Sequence, residues 1–364
     1  MASPLRTVLS PPQSDFVKGN LSFRQLIEMG FTGQRKTVLV TGASGMIGRT
    51  VVQALSASPE WDIRAQARSP QDTRAILGEV CDVTQVLIRE ADFTRTGERE
   101  MRMLTKDCHT IIHCAGLVHR PDAPYQEYEV MNVRATQSMA EAAASNGVNT
   151  FIFLSTSAIY GSGPFNNIEE NGALQAKTPY AVSKVTSEKF LEMFRNIPRT
   201  VTLRPALVYG EGDRGNLLTM IKEIKAGRFV QIGGGTTEKS LIYSRDLAEA
   251  ITLVMGLPEG YHCFNVANPK PTTVKELVDT IQDCLGIPKK VSSMPEPLLR
   301  FGVKAAELLM KEKAPVTSEQ VNKLTTTTTC SVNKLVSATG FQQRTGLREG
   351  IRAEIAWATA KNLL

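Results

Sequence analysis

From Lys36 onward, short apolar runs alternate with longer stretches in which apolar residues recur every three or four positions. The runs Thr37–Thr41, Ile63–Arg68, Val86–Ala91, Thr110–Ala115, Thr150–Ser155 and Thr200–Arg204 have strand length. Several are apolar almost throughout, as strands covered on both faces are. Between them, Gly48–Ser56, Glu129–Ser145 and Tyr180–Phe194 carry helical periodicity. This alternation predicts an α/β fold: a doubly wound parallel sheet with helices on both faces, binding its ligand at the carboxyl ends of the strands where strand order reverses. After Pro205 the alternation loosens into a helix at Leu217–Lys225, a strand at Ser240–Tyr243, a helix from Asp246, a strand at His262–Val266 and a helix at Thr273–Cys284. From residue 285 the chain reads as mostly helical and loop-linked, and the threonine run Thr325–Thr329 suits either a strand or an exposed loop. The expected organisation is an N-terminal arm (1–35) with a short amphipathic helix at Leu21–Met29, a nucleotide-binding domain (36–205), and a smaller, mostly helical lobe (206–364). That lobe carries substrate specificity and returns some elements to the main sheet.

Composition narrows the function classes. Hydrophobic residues make up 42% and charged residues 21% of 364, as in ordinary globular chains. The net charge is +6 with Lys and Arg scattered, which argues against dedicated nucleic-acid binding. No apolar run approaches the ~20 residues of a membrane helix. Met1–Arg35 lacks the apolar core of a secretory signal. Six dispersed cysteines without a CxxC pair read as structural thiols of a reducing cytoplasm. Four histidines without ligand spacing predict no metal site.

Candidate chemistry begins at Thr41-Gly-Ala-Ser-Gly-Met-Ile-Gly48, directly after the first strand and opening the first helix. Gly42 permits the tight turn, Gly45 lets backbone approach a pyrophosphate, and Gly48 allows close helix–strand packing. The helix start then offers N–H groups and partial positive charge to phosphates through Ser44, Met46 and Ile47. At the end of the second strand no acid is present to hold a ribose 2′-hydroxyl; Arg68 is there instead, whose planar fork suits a 2′-phosphate. The reading therefore leans to NADP, with NAD as the alternative. Asp92 and Phe93 follow the third strand, with Asp92 placed to accept from an adenine amine. Cys114, Ala115 and Gly116 end the fourth strand with small residues, where backbone passes a flat ligand.

The second motif is Tyr180-Ala-Val-Ser-Lys184 on a helix, where residues four apart share a face. A tyrosine near its ordinary pKa of ~10 is a poor base. A neighbouring ammonium and a positively charged nicotinamide would lower that value, so that Tyr180 exchanges a proton with a substrate alcohol. Upstream, Ser155-Thr-Ser157 closes the fifth strand with hydroxyls, and Thr156 and Ser157 are candidates to bond the reacting oxygen.

Together these motifs resemble the extended short-chain dehydrogenase/reductase family, from about Lys36 to the C-terminus. The resemblance implies a Rossmann-type fold, coenzyme-dependent hydride transfer at a secondary alcohol or ketone, and catalytic roles for Thr156, Tyr180 and Lys184. It further implies coenzyme contacts from Asn132 and from Pro205 in Leu203-Arg-Pro-Ala-Leu-Val-Tyr-Gly210. Within the family the chain is most similar to bacterial nucleotide-sugar epimerases and 4-keto-sugar reductases, which implies chemistry at C4 of a nucleotide sugar and substrate contacts from Asn216 and Lys239. Lys239 replaces the family's arginine there and keeps the charge without the bidentate geometry. A homodimer through the helices of Glu129–Ser145 and Tyr180–Phe194 is likewise implied. The competing readings are a 3β-hydroxysteroid- or dihydroflavonol-type dehydrogenase, with an apolar pocket lined by Pro297–Met310, and a non-catalytic NADP-binding sensor.

Overall fold

A computed structural model describes residues 35–118, 120, 122–288, 291–297, 299–300, 303, 321–322 and 325–364. The arm with Leu21–Met29, and most of 297–310, lie outside the described residues.

Seven parallel strands build the main sheet: β1 (Lys36–Thr41), β2 (Trp61–Ala67), β3 (Val86–Glu90), β4 (Thr110–His113), β5 (Thr150–Leu154), β6 (Arg199–Pro205) and β7 (Gly260–Val266). Their order is β7-β6-β5-β4-β1-β2-β3, so strand order reverses between β1 and β4. The helices between strands are α1 (Met46–Ser56), α2 (Pro70–Gly78), α3 (Glu98–Thr105), α4 (Ala135–Ser145) and α5 (Pro179–Met193). Each face of the sheet has its own core. On one, Val38, Val40, Ile112 and Ile152 meet Val51, Val52 and Leu55 of α1. On the other, Leu39, Ile111, Phe151 and Phe153 meet Met101, Leu104, Met139 and Leu191 from α3, α4 and α5. Double coverage explains why these strands read as continuous apolar runs.

The predicted strands recur with ends shifted by a residue or two, and Arg68 falls just past β2. One expectation needs correction. Glu129–Ser145 is not one regular helix: Glu129–Arg134 forms a π turn before α4 begins. The strand expected at Ser240–Tyr243 forms over Leu241–Tyr243 and pairs with Leu207–Tyr209, while Glu238–Lys239 before it joins a small sheet. The small sheet also takes Thr328–Cys330, so the threonine run ends in a strand, paired with Phe165–Ile168.

Beyond β6 come α6 (Asn216–Lys225), α7 (Ser244–Val254), α8 (Val274–Leu285) and α9 (Leu347–Ala360). Thr273 caps α8 by accepting from the Glu276 N–H at 3.0 Å, and Gly286 ends it in the left-handed conformation. Tyr209, Leu217, Ile221, Val278, Ile281 and Ile351 form a third core under these helices. α7 instead packs beside α1, with Leu247, Ile251 and Val254 in the first core.

Candidate active site

The glycine turn leaves β1 at the point where strand order reverses. Gly42 has φ +64°, and a Cβ there would stand 2.9 Å from the Ala115 backbone, so a side chain is excluded twice over. A Cβ on Gly48 would stand 2.2 Å from the Gly42 carbonyl oxygen, which enforces the close helix–turn contact expected of this glycine. Gly45 caps α1 without a side chain, no acid occupies the first turn, and Ser44 and Gly45 are exposed beside half-buried Met46 and Ile47. An uncapped helix start behind a turn that admits no Cβ fits a dinucleotide pyrophosphate.

Thr41 ties this turn to β4. Its hydroxyl accepts from the Ala115 N–H at 3.1 Å and lies 2.9 Å from His113 Nδ1. Burial holds His113 neutral, its pKa lowered to about 3, with the Lys184 ammonium acting in the same direction. Phe93 is buried against His113, with ring centroids 6.0 Å apart. Asp92 is half-buried, and one carboxylate oxygen accepts from the Thr94 N–H at 3.0 Å and hydroxyl at 2.8 Å. These bonds, then the fields of Arg68 and Arg95, lower its pKa. Arg68 itself is exposed. Sequence reasoning passed over Gln66, buried on β2, whose side chain bonds both Gly42 and Ala91.

The catalytic candidates converge at the carboxyl edge of β4 and β5. Pro179 at the first helical position and Thr178, accepting from the Ala181 N–H at 3.2 Å, start α5 just where Tyr180 is needed. Thr156 follows β5, accepts from the Ala158 N–H at 3.2 Å, and stands close enough to the Tyr180 phenol to pull its pKa down. Ser157 opens the short turn beyond it. Lys184 is 3% exposed; its Nζ donates to the Leu154 carbonyl at 2.7 Å and lies 4.5 Å from the Phe153 ring centroid. A Cβ on Gly116 would stand 3.5 Å from that Nζ and 3.1 Å from Asn132 Oδ1, which brings Lys184, Asn132 and the end of β4 to one place. Asn132, in the π turn, accepts from the Leu117 N–H at 2.7 Å and donates to Ser183 Oγ at 2.9 Å; its carbonyl accepts from Ser187 Oγ at 3.0 Å. Cys114 is half-buried and Ala115 buried; Cys114 has its thiol pushed up to about 12 by burial against the opposing pull of Lys184. Pro205 ends β6 opposite Val266.

In the protein without coenzyme, burial raises Tyr180 to about 12, and neighbouring Thr156 only partly opposes it. The Lys184 ammonium is anchored on the Leu154 carbonyl, and its charge acts on His113 and Cys114. Lys184 is itself lowered to about 8 by burial, with Cys114 and Glu188 acting the other way. Glu188 lies one turn beyond Lys184 and forms a buried ion pair with Arg204 at 2.7 Å.

On the substrate side, Asn216 is exposed at the first position of α6. Lys239 does not stand ready for a diphosphate: its Nζ donates to the Thr326 carbonyl at 2.6 Å and to Thr328 Oγ1 at 3.3 Å, and burial lowers it to about 8. Among the described residues no cluster of His, Cys, Asp and Glu is arranged for a metal, all six cysteines are unbridged, and no helix is long and apolar enough to cross a membrane.

A doubly wound sheet with an uncapped glycine turn at its switch point, and a threonine, tyrosine and buried lysine along the adjoining edge, defines a Rossmann-type dinucleotide-dependent enzyme. The family model described as the NAD dependent epimerase/dehydratase family matches residues 38–267. The chain belongs to that family and is an NAD-dependent enzyme of the short-chain dehydrogenase/reductase type. It is 28% identical over 325 residues to N-acetyl-alpha-D-glucosaminyl-diphospho-ditrans,octacis-undecaprenol 4-epimerase of Escherichia coli O157:H7, covering 86% of this chain and 92% of the relative. It is 24% identical over 338 residues to UDP-glucose 4-epimerase of Vibrio cholerae, covering 88% and 96%. Among solved structures, the fold matches UDP-N-acetylglucosamine 4-epimerase from Methanobrevibacter ruminantium M1 in complex with UDP-N-acetylmuramic acid, at TM-score 0.73 and 22% identity, over 90% of this chain and 100% of the other. It also matches UDP-glucuronic acid 4-epimerase from Bacillus cereus in complex with NAD, at TM-score 0.71 and 18% identity, over 89% and 99%.

Proposed function

We propose that the chain interconverts sugars at C4, acting on a sugar carried by a nucleotide or another diphosphate, with Tyr180 as the proton-transferring acid and base. The observation that carries this reading is buried Lys184 anchored on Leu154, with Thr156 close enough to the Tyr180 phenol to act on its pKa, at the strand edge that the glycine turn faces. Bound NAD or NADP supplies the two-electron acceptor that the side chains lack. Residues Gly42–Gly48, Arg68, Asp92, Phe93, Cys114–Gly116, Asn132 and Pro205 are the candidates to hold it.

Each protein group has a separable task. Thr156 holds the reacting oxygen next to the phenol. Tyr180 takes the proton of the C4 hydroxyl when that carbon is oxidised and returns it on reduction. Lys184, fixed by Leu154, adds positive charge to the pocket from below, and with Asn132 it keeps the end of β4 in place. The upward shift of Tyr180 means that the phenol starts protonated, so its release depends on positive charge brought by the coenzyme. Arg68, its charge partly offset by Asp92, is the group that would meet a coenzyme 2′-phosphate if NADP replaced NAD. Ser157 and Asn216 are the polar groups on the substrate side; Lys239 would first have to leave the Thr326 carbonyl. A homodimer through α4 and α5, a cytoplasmic location and a substrate lobe spanning 206–364 belong to the same proposal.

The test is turnover with a panel of UDP-sugars and polyprenyl-diphosphate sugars, each with NAD and with NADP. Tyr180→Phe is expected to lower turnover by roughly 10²–10⁴-fold while coenzyme affinity holds. Undiminished turnover in that variant overturns the proton-transfer role.

A further inference from the structure

The turn that carries Gly42 is gripped from two sides. On one, the Ala115 backbone leaves no room even for a methyl group. On the other is the side chain of Gln66, 3% exposed within β2. Its Oε1 accepts from the Gly42 N–H at 3.0 Å, and its Nε2 donates to the Ala91 carbonyl at 2.6 Å. Both partners are backbone groups of fixed polarity, one a donor and one an acceptor, so the amide has a single orientation that satisfies them. Backbone bonds reinforce the junction: Ala43 N–H donates to the Gln66 carbonyl at 3.2 Å, and Ala91 N–H to the Ala67 carbonyl at 3.0 Å.

One side chain therefore joins three segments: the glycine turn after β1, the end of β2 that leads to Arg68, and the end of β3 that leads to Asp92. These are the segments assigned above to the nucleotide half of the coenzyme. An apolar side chain of the same length fills the space but leaves a half-buried donor and a half-buried acceptor without this partner. The turn then relieves the mismatch by shifting.

We propose that Gln66 is a positioning residue for the coenzyme, locking the glycine turn to the ends of β2 and β3 before the nucleotide arrives. The proposal rests on the coenzyme reading, and its action is confined to binding, because Gln66 reaches none of Thr156, Tyr180 or Lys184.

The experiment measures NADH and NADPH dissociation constants by fluorescence titration, and exchange of the Gly42 amide by NMR without coenzyme, in native protein and in Gln66→Met. The expected result is about tenfold weaker coenzyme binding and about tenfold faster Gly42 exchange, the scale of one or two lost hydrogen bonds. Turnover at saturating coenzyme stays within about twofold of native. Should Gln66→Met fail to fold, Gln66→Asn carries the same expectation, since it keeps the amide but is one methylene too short to span both partners. Dissociation constants within about twofold of native overturn the proposal, as does a loss shared equally by binding and turnover. Native protein that binds neither coenzyme removes the coenzyme reading and the proposal with it, and the exchange measurement still reports whether the Gly42 bond exists.

Discussion

Replacing Glu188 by Gln tests the electrostatic arrangement behind the catalytic helix. Arg204 spends its donors on Glu188, at 3.2, 3.2 and 2.7 Å, on the Tyr160 hydroxyl at 2.8 Å and on the Glu170 carbonyl at 2.7 Å. The side chains are 8% and 4% exposed, so Glu188→Gln leaves a guanidinium buried without its counter-charge. Breaking a buried pair in this way costs about 3–5 kcal/mol. The compact unit Arg35–Leu364 has 364 − 34 = 330 residues. At ~2.1 cal/mol/K per residue its unfolding entropy is ~0.7 kcal/mol/K, so the melting temperature should fall by about 4–7 °C. Glu188 also opposes the burial that lowers Lys184 to about 8. Removing it moves the lysine lower still, and the alkaline limb of the pH–rate profile should shift to lower pH. Calorimetry and a pH series check the two effects separately. The double variant Glu188→Gln/Arg204→Leu should recover most of the lost stability, because it removes both charges. A melting temperature within 1 °C of native in the single variant, or an alkaline limb that stays put, would refute this reasoning.

Two further outcomes follow from buried groups. Glu354 accepts from the Gly210 N–H at 2.9 Å, and burial, then the nearby Asp213 carboxylate, pushes it up to about 9. The fold therefore holds a proton that the unfolded chain releases near ~4.3, and stability should fall as pH rises from about 5 to about 9. Glu354→Gln should flatten melting temperature across that window; an unchanged slope contradicts the assignment. Gly48→Ala drives a methyl group into the Gly42 carbonyl and adjoining backbone, so the turn must shift. Coenzyme affinity should drop by roughly tenfold or more, the effect of ~1.4 kcal/mol, as read by titration; retained affinity would show that the helix start does not bind phosphate.

Legibility in the sequence followed the range of the interaction. The six early strands and the helices α1 and α5 repeat within a few residues, so their apolar period reveals them, and the glycine turn and the Tyr180–Lys184 spacing are equally local. What stayed hidden depends on contacts between distant segments. Gln66 sits in an apolar strand, where an amide carries no periodic signal, and its partners lie 24 and 25 positions away. Lys184 shares a helix face with Tyr180, as its spacing implies, yet the group that anchors its ammonium is the Leu154 carbonyl, 30 residues upstream. Lys239 keeps the charge of the family's arginine, and its anchoring on the threonine run near the far end of the chain is a contact 87 positions away that spacing does not reveal. The π turn at Glu129–Arg134 is a backbone choice that leaves apolar spacing almost unchanged, and so it was invisible.

β7 sets a condition on biosynthesis. The neighbour of β6 in the sheet is not made until residues 260–266 leave the ribosome, well after every other strand of that sheet. Until then β6 presents a row of unsatisfied amides and carbonyls, the kind of border along which nascent chains stick to one another. A chain stopped before residue 260 would therefore be a sticky intermediate rather than a free-standing coenzyme-binding module, and the stretch from residue 260 onward is needed for solubility as much as for recognition.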